Sequence, residues 1–172
     1  MTPSQTVGPF FHLGLTADPS LGCLARPGAK GERIQLRFRL VDGEGAPVPD
    51  GLIEIWQADA AGKFGDPAFP GFGRLPTDQD GCCMFETVLP GRVAKDHAAH
   101  IDVSVFSRGL LDRLCTRVYF EGDAALGEDR VLMLAPEDRR HTLMARRDSA
   151  NPAQWNFEIH LQGEQETVFF DV

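Results

Sequence analysis

Arg33-Ile34-Gln35-Leu36-Arg37-Phe38-Arg39-Leu40 places an apolar side chain at every second position with a polar one between. Successive side chains on a strand point to opposite faces, so Ile34, Leu36, Phe38 and Leu40 can share a buried side. The same period recurs in Ile101-Asp102-Val103-Ser104-Val105-Phe106 and in Trp155-Asn156-Phe157-Glu158-Ile159-His160-Leu161-Gln162. Shorter apolar runs at 52–56, 83–88, 114–121, 131–134 and 168–172 are expected as further strands. Turn chemistry separates them: Asp42-Gly43-Glu44-Gly45, the 47–51 stretch, Asp78-Gln79-Asp80-Gly81 and Pro90-Gly91. No long window keeps helical spacing, and 107–114 or 136–140 hold a turn or two at most. Short, closely spaced strands predict an all-β fold: an antiparallel β-sandwich with an extended N-terminal arm, long loops and little helix.

The chain has 172 residues, enough for a single domain over 1–172 with one core. Two stretches lack the strand period. Residues 1–26 carry Phe10, Phe11, Leu13 and Leu15 among Pro3, Gly8, Pro9, Gly14 and Pro19, an apolar arm expected to pack on a partner chain. Residues 62–76 hold Phe64, Phe69 and Phe72 among glycines and prolines, a long loop of the kind that carries function. With 25 acidic and 17 basic side chains the net charge is −8, which argues against nucleic acid, whose binding needs clustered Lys and Arg. No apolar run reaches the roughly 18 residues of a membrane span. Met1-Thr2-Pro3-Ser4-Gln5 has neither the basic start nor the apolar block of a signal peptide. Cys23, Cys82, Cys83 and Cys115 give no disulfide framework, since neighbouring Cys82 and Cys83 face opposite sides of a strand. A reduced, cytoplasmic protein is expected.

No nucleophile elbow, phosphate-cradling glycine loop or zinc ribbon is present in the sequence. His97-Ala98-Ala99-His100-Ile101-Asp102 has the form H-x-x-H-x-D. His100 and Asp102 would share a strand face, but His97 falls in the preceding turn. A hydrogen-bonded strand histidine beside a solvated loop histidine is therefore favoured over a metal set. His160 falls on a polar strand face and His141 follows Arg139-Arg140, so both read as surface groups. Arg108 stands at a strand end before Gly109, where its planar fork could take a carboxylate. A surface ion pair with Asp112 or Asp102 fits the spacing equally well. Gly8-Pro9 is either a rigid bend or a bend that brings backbone to a ligand.

Ser4-Gln5-Thr6-Val7-Gly8-Pro9-Phe10-Phe11-His12-Leu13-Gly14-Leu15 and Ile53-Glu54-Ile55-Trp56-Gln57-Ala58-Asp59-Ala60-Ala61-Gly62 resemble the intradiol ring-cleavage dioxygenases. So do Val118-Tyr119-Phe120-Glu121-Gly122-Asp123 and Gln162-Gly163-Glu164-Gln165-Glu166-Thr167-Val168-Phe169-Phe170-Asp171. The arm, the tail and Phe106-Ser107-Arg108-Gly109 are similar to the alpha subunits of the family's two-chain members, with Val7, Phe10 and Ser107 where alanine, tyrosine and alanine are usual. The family holds non-haem Fe(III) with two tyrosines and two histidines. At those positions this chain has Phe64, Val93, His100 and Asp102, and its one tyrosine, Tyr119, is elsewhere.

The resemblance thus implies no catalytic residue and no metal in this chain, and no activity alone. It implies an iron-bearing beta subunit, paired as an αβ protomer within a higher hetero-oligomer. Fe(III) would sit in that partner, and 3,4-dihydroxybenzoate would react with O2 to give 3-carboxy-cis,cis-muconate. For this chain it implies a wall of the substrate cavity: Thr6, Gly8 and Pro9 of the arm, with Arg108 facing the substrate carboxylate. The other reading is a β-sandwich binding module for a small aromatic acid, without catalysis. An arm as apolar as Phe10 to Leu15 favours the subunit, because an isolated module would leave it exposed.

Overall fold

The computed structural model describes residues 3–8 and 10–171. Its strands are β1 (Arg33–Val41), β2 (Leu52–Trp56), β3 (Phe72–Pro76), β4 (Cys82–Val88), β5 (His100–Phe106), β6 (Leu114–Phe120), β7 (Met144–Arg147) and β8 (Gln154–His160). They form one eight-stranded sheet in the order β3-β2-β5-β6-β7-β8-β1-β4. The period-two positions do what the pattern requires. Leu36, Phe38, Ile55, Val103, Val118 and Phe157, from both ends of that order, meet in one buried cluster. Phe38 meets Phe85 and Phe157 edge-on at 5.7 and 5.8 Å. Each such ring contributes about 1.5–3 kcal/mol by leaving water.

The sheet is nearly closed. A Cβ on Gly73 of β3 would stand 3.0 Å from the Phe85 ring of β4, so the two end strands approach each other. Residues 21–25 lie along this seam. The Leu24 and Ala25 amides donate to the Glu86 carbonyl at 2.8 and 3.1 Å, and Leu24 is buried. The end of the arm therefore packs on its own chain. Phe11–Leu15 (α1) stays at the surface, with Phe11 against Phe106 at 5.8 Å.

Four expectations need correction. The sheet is mixed, not purely antiparallel: β1 pairs β8 and β6 pairs β7 in parallel, while the other five pairings are antiparallel. Period-two spacing fixes which face is buried but is blind to the direction of the neighbour. Residues 131–134 form a 3-10 turn at Leu132–Leu134 in place of a strand, because the Asp129 carboxylate accepts from the Val131 and Leu132 amides and curls the backbone. Within 168–171 only an isolated bridge forms, Cys115 to Phe170. The 62–76 loop ends in β3, paired with β2 from Trp56 opposite Phe72 to Leu52 opposite Pro76.

Two of the predicted turns form as aspartate-capped loops: Asp42 accepts from the Glu44 and Ala46 amides, and Asp78 from the Asp80 and Cys82 amides at 2.9 and 2.8 Å. Gly81 there has φ +70°, with the Leu40 carbonyl where a side chain would stand. The four cysteines are free, and Cys83, desolvated in the core, has its thiol pKa pushed up. Among the described residues no helix is long and apolar enough to cross a membrane.

Candidate functional site

Alternation along β5 turns Ile101, Val103 and Val105 into the core and His100, Asp102 and Ser104 to the outer face. Asp102 there sits opposite Trp56 of β2 and Arg117 of β6. The Arg117 Nε donates to Asp102 at 2.7 Å. The Trp56 indole stacks flat on Phe64, with centroids 5.7 Å apart and planes 4° from parallel, and Phe64 remains 51% exposed. Val93 belongs to a turn locked against the loop that carries Phe64. Gly91 donates its amide to the Asp59 carbonyl at 2.9 Å, and Gly62, at φ +74°, leaves no room for a Cβ against the Arg92 carbonyl. The fold thus brings Phe64, His100 and Asp102 to one region of the outer face, with the Val93 turn beside it.

This donor set does not fit ferric iron. Phe64 and Val93 offer no oxygen, and the Asp102 carboxylate is committed to a guanidinium. Burial opposes the Arg117 charge, but Asp102 and Tyr119 together outweigh it and raise the guanidinium pKa further. A fixed cation therefore stands beside Asp102, one of the four positions. His100 is one donor of four. Burial lowers its pKa, Arg117 acts in the same direction, and the bond to the Ala98 carbonyl opposes both, so the ring is neutral at pH 7.

The H-x-x-H-x-D run folds differently from the sequence reading. His97 is buried, not solvated: the short turns at 126–143 cover this part of the outer face and bury Tyr119, Leu132 and Leu143 with it. The His97 and His100 rings are 5.6 Å apart. The carboxylate beside them is Asp129, 3.8 Å from His97 Nδ1, and not Asp102. Asp129 is 0% exposed and accepts from Tyr119 Oη and the amides of Ala98, Val131 and Leu132. Burial raises its pKa, but these donors outweigh burial and hold the carboxyl below its usual value. Nothing in the sequence ties Asp129 to a histidine 32 positions earlier.

The second region lies at the other end of β5. Thr6 Oγ1 accepts from the Gly109 amide at 2.7 Å, Ser4 Oγ donates to Asp112 at 3.3 Å, and the Phe11 amide donates to the Gly8 carbonyl at 3.1 Å. The arm is thereby laid along 106–112. A groove of about 290 Å³ runs between them, lined by Gln5, Val7, Phe106, Ser107, Leu110 and their neighbours. Arg108 projects beside it, 65% exposed, and pairs with Asp50 at 2.9 Å in place of the Asp112 or Asp102 pairing that spacing allowed. Pro9 lies outside the described residues. From Asp102 to Phe106 the strand runs roughly 13 Å, and Arg108 lies beyond. The Arg108 region and the four-position region are therefore separate on this chain.

Residues 7–163 match a family model described as Dioxygenase. The chain belongs to the intradiol dioxygenase family. Within it, the chain is 44% identical over 191 positions to the protocatechuate 3,4-dioxygenase alpha chain of Burkholderia cepacia, covering 99% of this chain and 97% of that one. It is 34% identical over 185 positions to the beta chain from the same organism, covering 95% and 77%. The solved dioxygenase domain of a carbohydrate-binding fusion protein from Streptomyces sp. SirexAA-E shares the fold, with a TM-score of 0.69 at 22% identity over 94% of this chain and 99% of that one.

Proposed function

We propose that this chain is the iron-free alpha subunit of a protocatechuate 3,4-dioxygenase. In this reading its eight-stranded sheet is the family's β-sandwich, folded over at β7. It acts as an αβ protomer, within a larger hetero-oligomer, with a beta subunit that carries the Fe(III). The carrying observation is the pair of facts that similarity to an alpha chain runs over nearly the full length while, of the four donor positions, two hold apolar Phe64 and Val93 and only His100 keeps the expected type of donor. The alternative, a binding module without catalysis, is not favoured, because its full-length relative is named as a dioxygenase chain.

The iron, when bound in the partner, activates the catechol ring and O2 for cleavage between the hydroxylated carbons. This chain's residues do other work. Arg108 offers two parallel N–H donors to the carboxylate of 3,4-dihydroxybenzoate, fixing the ring's rotation before oxygen attacks. Its guanidinium is exposed and its bond to Asp50 is a surface ion pair of small worth, so exchange for a substrate anion costs little. Thr6 and Gly8 form the adjoining wall, with the Thr6 bond to Gly109 keeping the arm beside Arg108. The separation of Arg108 from Phe64, His100 and Asp102 along β5 supports a site completed by another chain.

The test is iron content and protocatechuate-dependent O2 uptake, for this chain alone and co-expressed with a beta chain. Colourless and inert alone, ferric and active together, is the expected result. Stoichiometric iron or turnover from this chain by itself would overturn the reading.

A further inference from the structure

We propose that His97, His100 and Asp129 bind one divalent transition-metal ion, zinc by the chemistry of the donors, clamping the start of β5 to the 126–134 segment. The proposal goes beyond the dioxygenase role and does not depend on it. One ligand atom from each of the three residues lies within 4.8 Å of the others, and all three residues are buried.

His97 Nδ1 is a buried nitrogen with no hydrogen-bond partner. The atom nearest to pairing with it, Asp129 Oδ2, stands 3.8 Å away. That is too long for a hydrogen bond. Two donors on one zinc, each about 2.0–2.2 Å from it at a tetrahedral angle, stand about 3.3–3.6 Å apart, much nearer the observed gap.

The other two residues are prepared in the same sense. His100 Nδ1 lies 2.8 Å from the Ala98 carbonyl oxygen, which can only accept, so the proton is on Nδ1 and the lone pair on Nε2. A backbone carbonyl behind a ligating imidazole is the usual support for a metal-bound histidine. On Asp129, Oδ1 takes three donors while Oδ2 takes only the Ala98 amide, so Oδ2 keeps a lone pair on the His97 side. Two neutral imidazoles and one carboxylate suit Zn²⁺, Co²⁺ or Ni²⁺ and are poor for Mg²⁺ or Ca²⁺. The set shares only His100 with the four positions considered for iron; Phe64, Val93 and Asp102 take no part.

The test uses the full-length chain, alone and co-expressed with a beta chain, after chelator treatment and zinc titration. One zinc per chain is expected by elemental analysis, counted separately from any iron, together with a raised thermal midpoint. Co²⁺ should give the visible bands of a tetrahedral or five-coordinate site. His97→Ala and His97→Gln should each weaken zinc binding by at least about ten-fold, with the circular dichroism of the metal-free chain unchanged. Failure to take up stoichiometric zinc, or unchanged affinity in the His97 variants, overturns the site. In that case His97 simply ion-pairs with Asp129, or the zinc rests on surface histidines such as His141. Zinc uptake without iron or turnover in the co-expressed complex would sink the subunit reading and leave this one standing.

Discussion

Replacing Asp129 with asparagine should detach the 126–143 turns from the sheet energetically while keeping the side chain's shape. In the native chain Oδ1 accepts from Tyr119 Oη at 3.0 Å and the Val131 and Leu132 amides at 2.9 and 2.8 Å, and Oδ2 accepts from the Ala98 amide at 2.8 Å. Asparagine keeps one oxygen. If that oxygen serves the three donors, its NH2 faces the Ala98 amide, donor against donor. A bond to a charged acceptor contributes about 1.5–3 kcal/mol and a neutral one about 0.5–1.5. Three weakened bonds therefore lose about 3 kcal/mol, and one stranded amide costs about 1–3 more. Relaxation recovers part, leaving about 4 kcal/mol, or a fall in Tm of about 8–16 °C for a chain of this size.

The pH dependence gives an independent signature. The folded-state pKa of Asp129 lies below its unfolded value, so its stabilisation is complete above the unfolded pKa, about 3.9, and disappears as pH falls through the folded one. Urea unfolding of both proteins from pH 7 down to pH 3 measures this directly. The difference between them should be largest at neutral pH and shrink below about pH 4. A difference under about 1 kcal/mol at pH 7, or one flat across the acid range, would refute the reasoning.

In the assembled enzyme, Arg108→Ala should raise the KM for protocatechuate about ten- to hundred-fold, the worth of a lost charge-assisted pair. The KM for catechol, which has no carboxylate, should hardly move, and equal effects on both would remove Arg108 from recognition. Deleting residues 2–11 should weaken association with the beta chain in size-exclusion and sedimentation runs; full assembly with full turnover would mean the arm is neither clamp nor wall. Phe157→Ala removes a ring packed on Phe38 at 5.8 Å and should cost about 3–5 kcal/mol in urea unfolding, whereas a loss under about 1 kcal/mol would mean the core collapses around the gap. Gly62→Ala forces a side chain into a φ of +74° against the Arg92 carbonyl and should lower Tm; an unchanged Tm would show that the two loops can part freely.

Much of the fold is written in alternation. Leu36, Phe38 and Leu40 of β1, or Val103 and Val105 of β5, announce both strand and face because a half-buried strand has no other way to satisfy its two sides. β3 is hidden because Gly73 replaces what would be an inward apolar residue: Leu24 and Phe85 already fill that space. β7 is four residues long, too short to display a period. Val131 to Leu134 looks like a strand and curls because of Asp129, a capping role that depends on contacts made only after folding. That Phe64 and Val93 offer no donor atom is legible from residue type alone. The Arg117 cation paired with Asp102 is not, since it comes from a neighbouring strand whose register the sequence does not state.

The seam filled by residues 21–25 governs how this chain can associate. An end strand with free amides and carbonyls is a template to which another molecule's strand can add, which is the route to domain swapping and fibrils. Here Leu24 and Ala25 occupy the Glu86 carbonyl of β4, and Leu21 and Leu24 crowd Gly73 of β3, so neither end is left open at that point. Partners must then meet the chain through side chains and through the arm. A truncation that stops at residue 11 leaves this cover intact, but one that runs past residue 20 strips it, and the product should polymerise by strand addition.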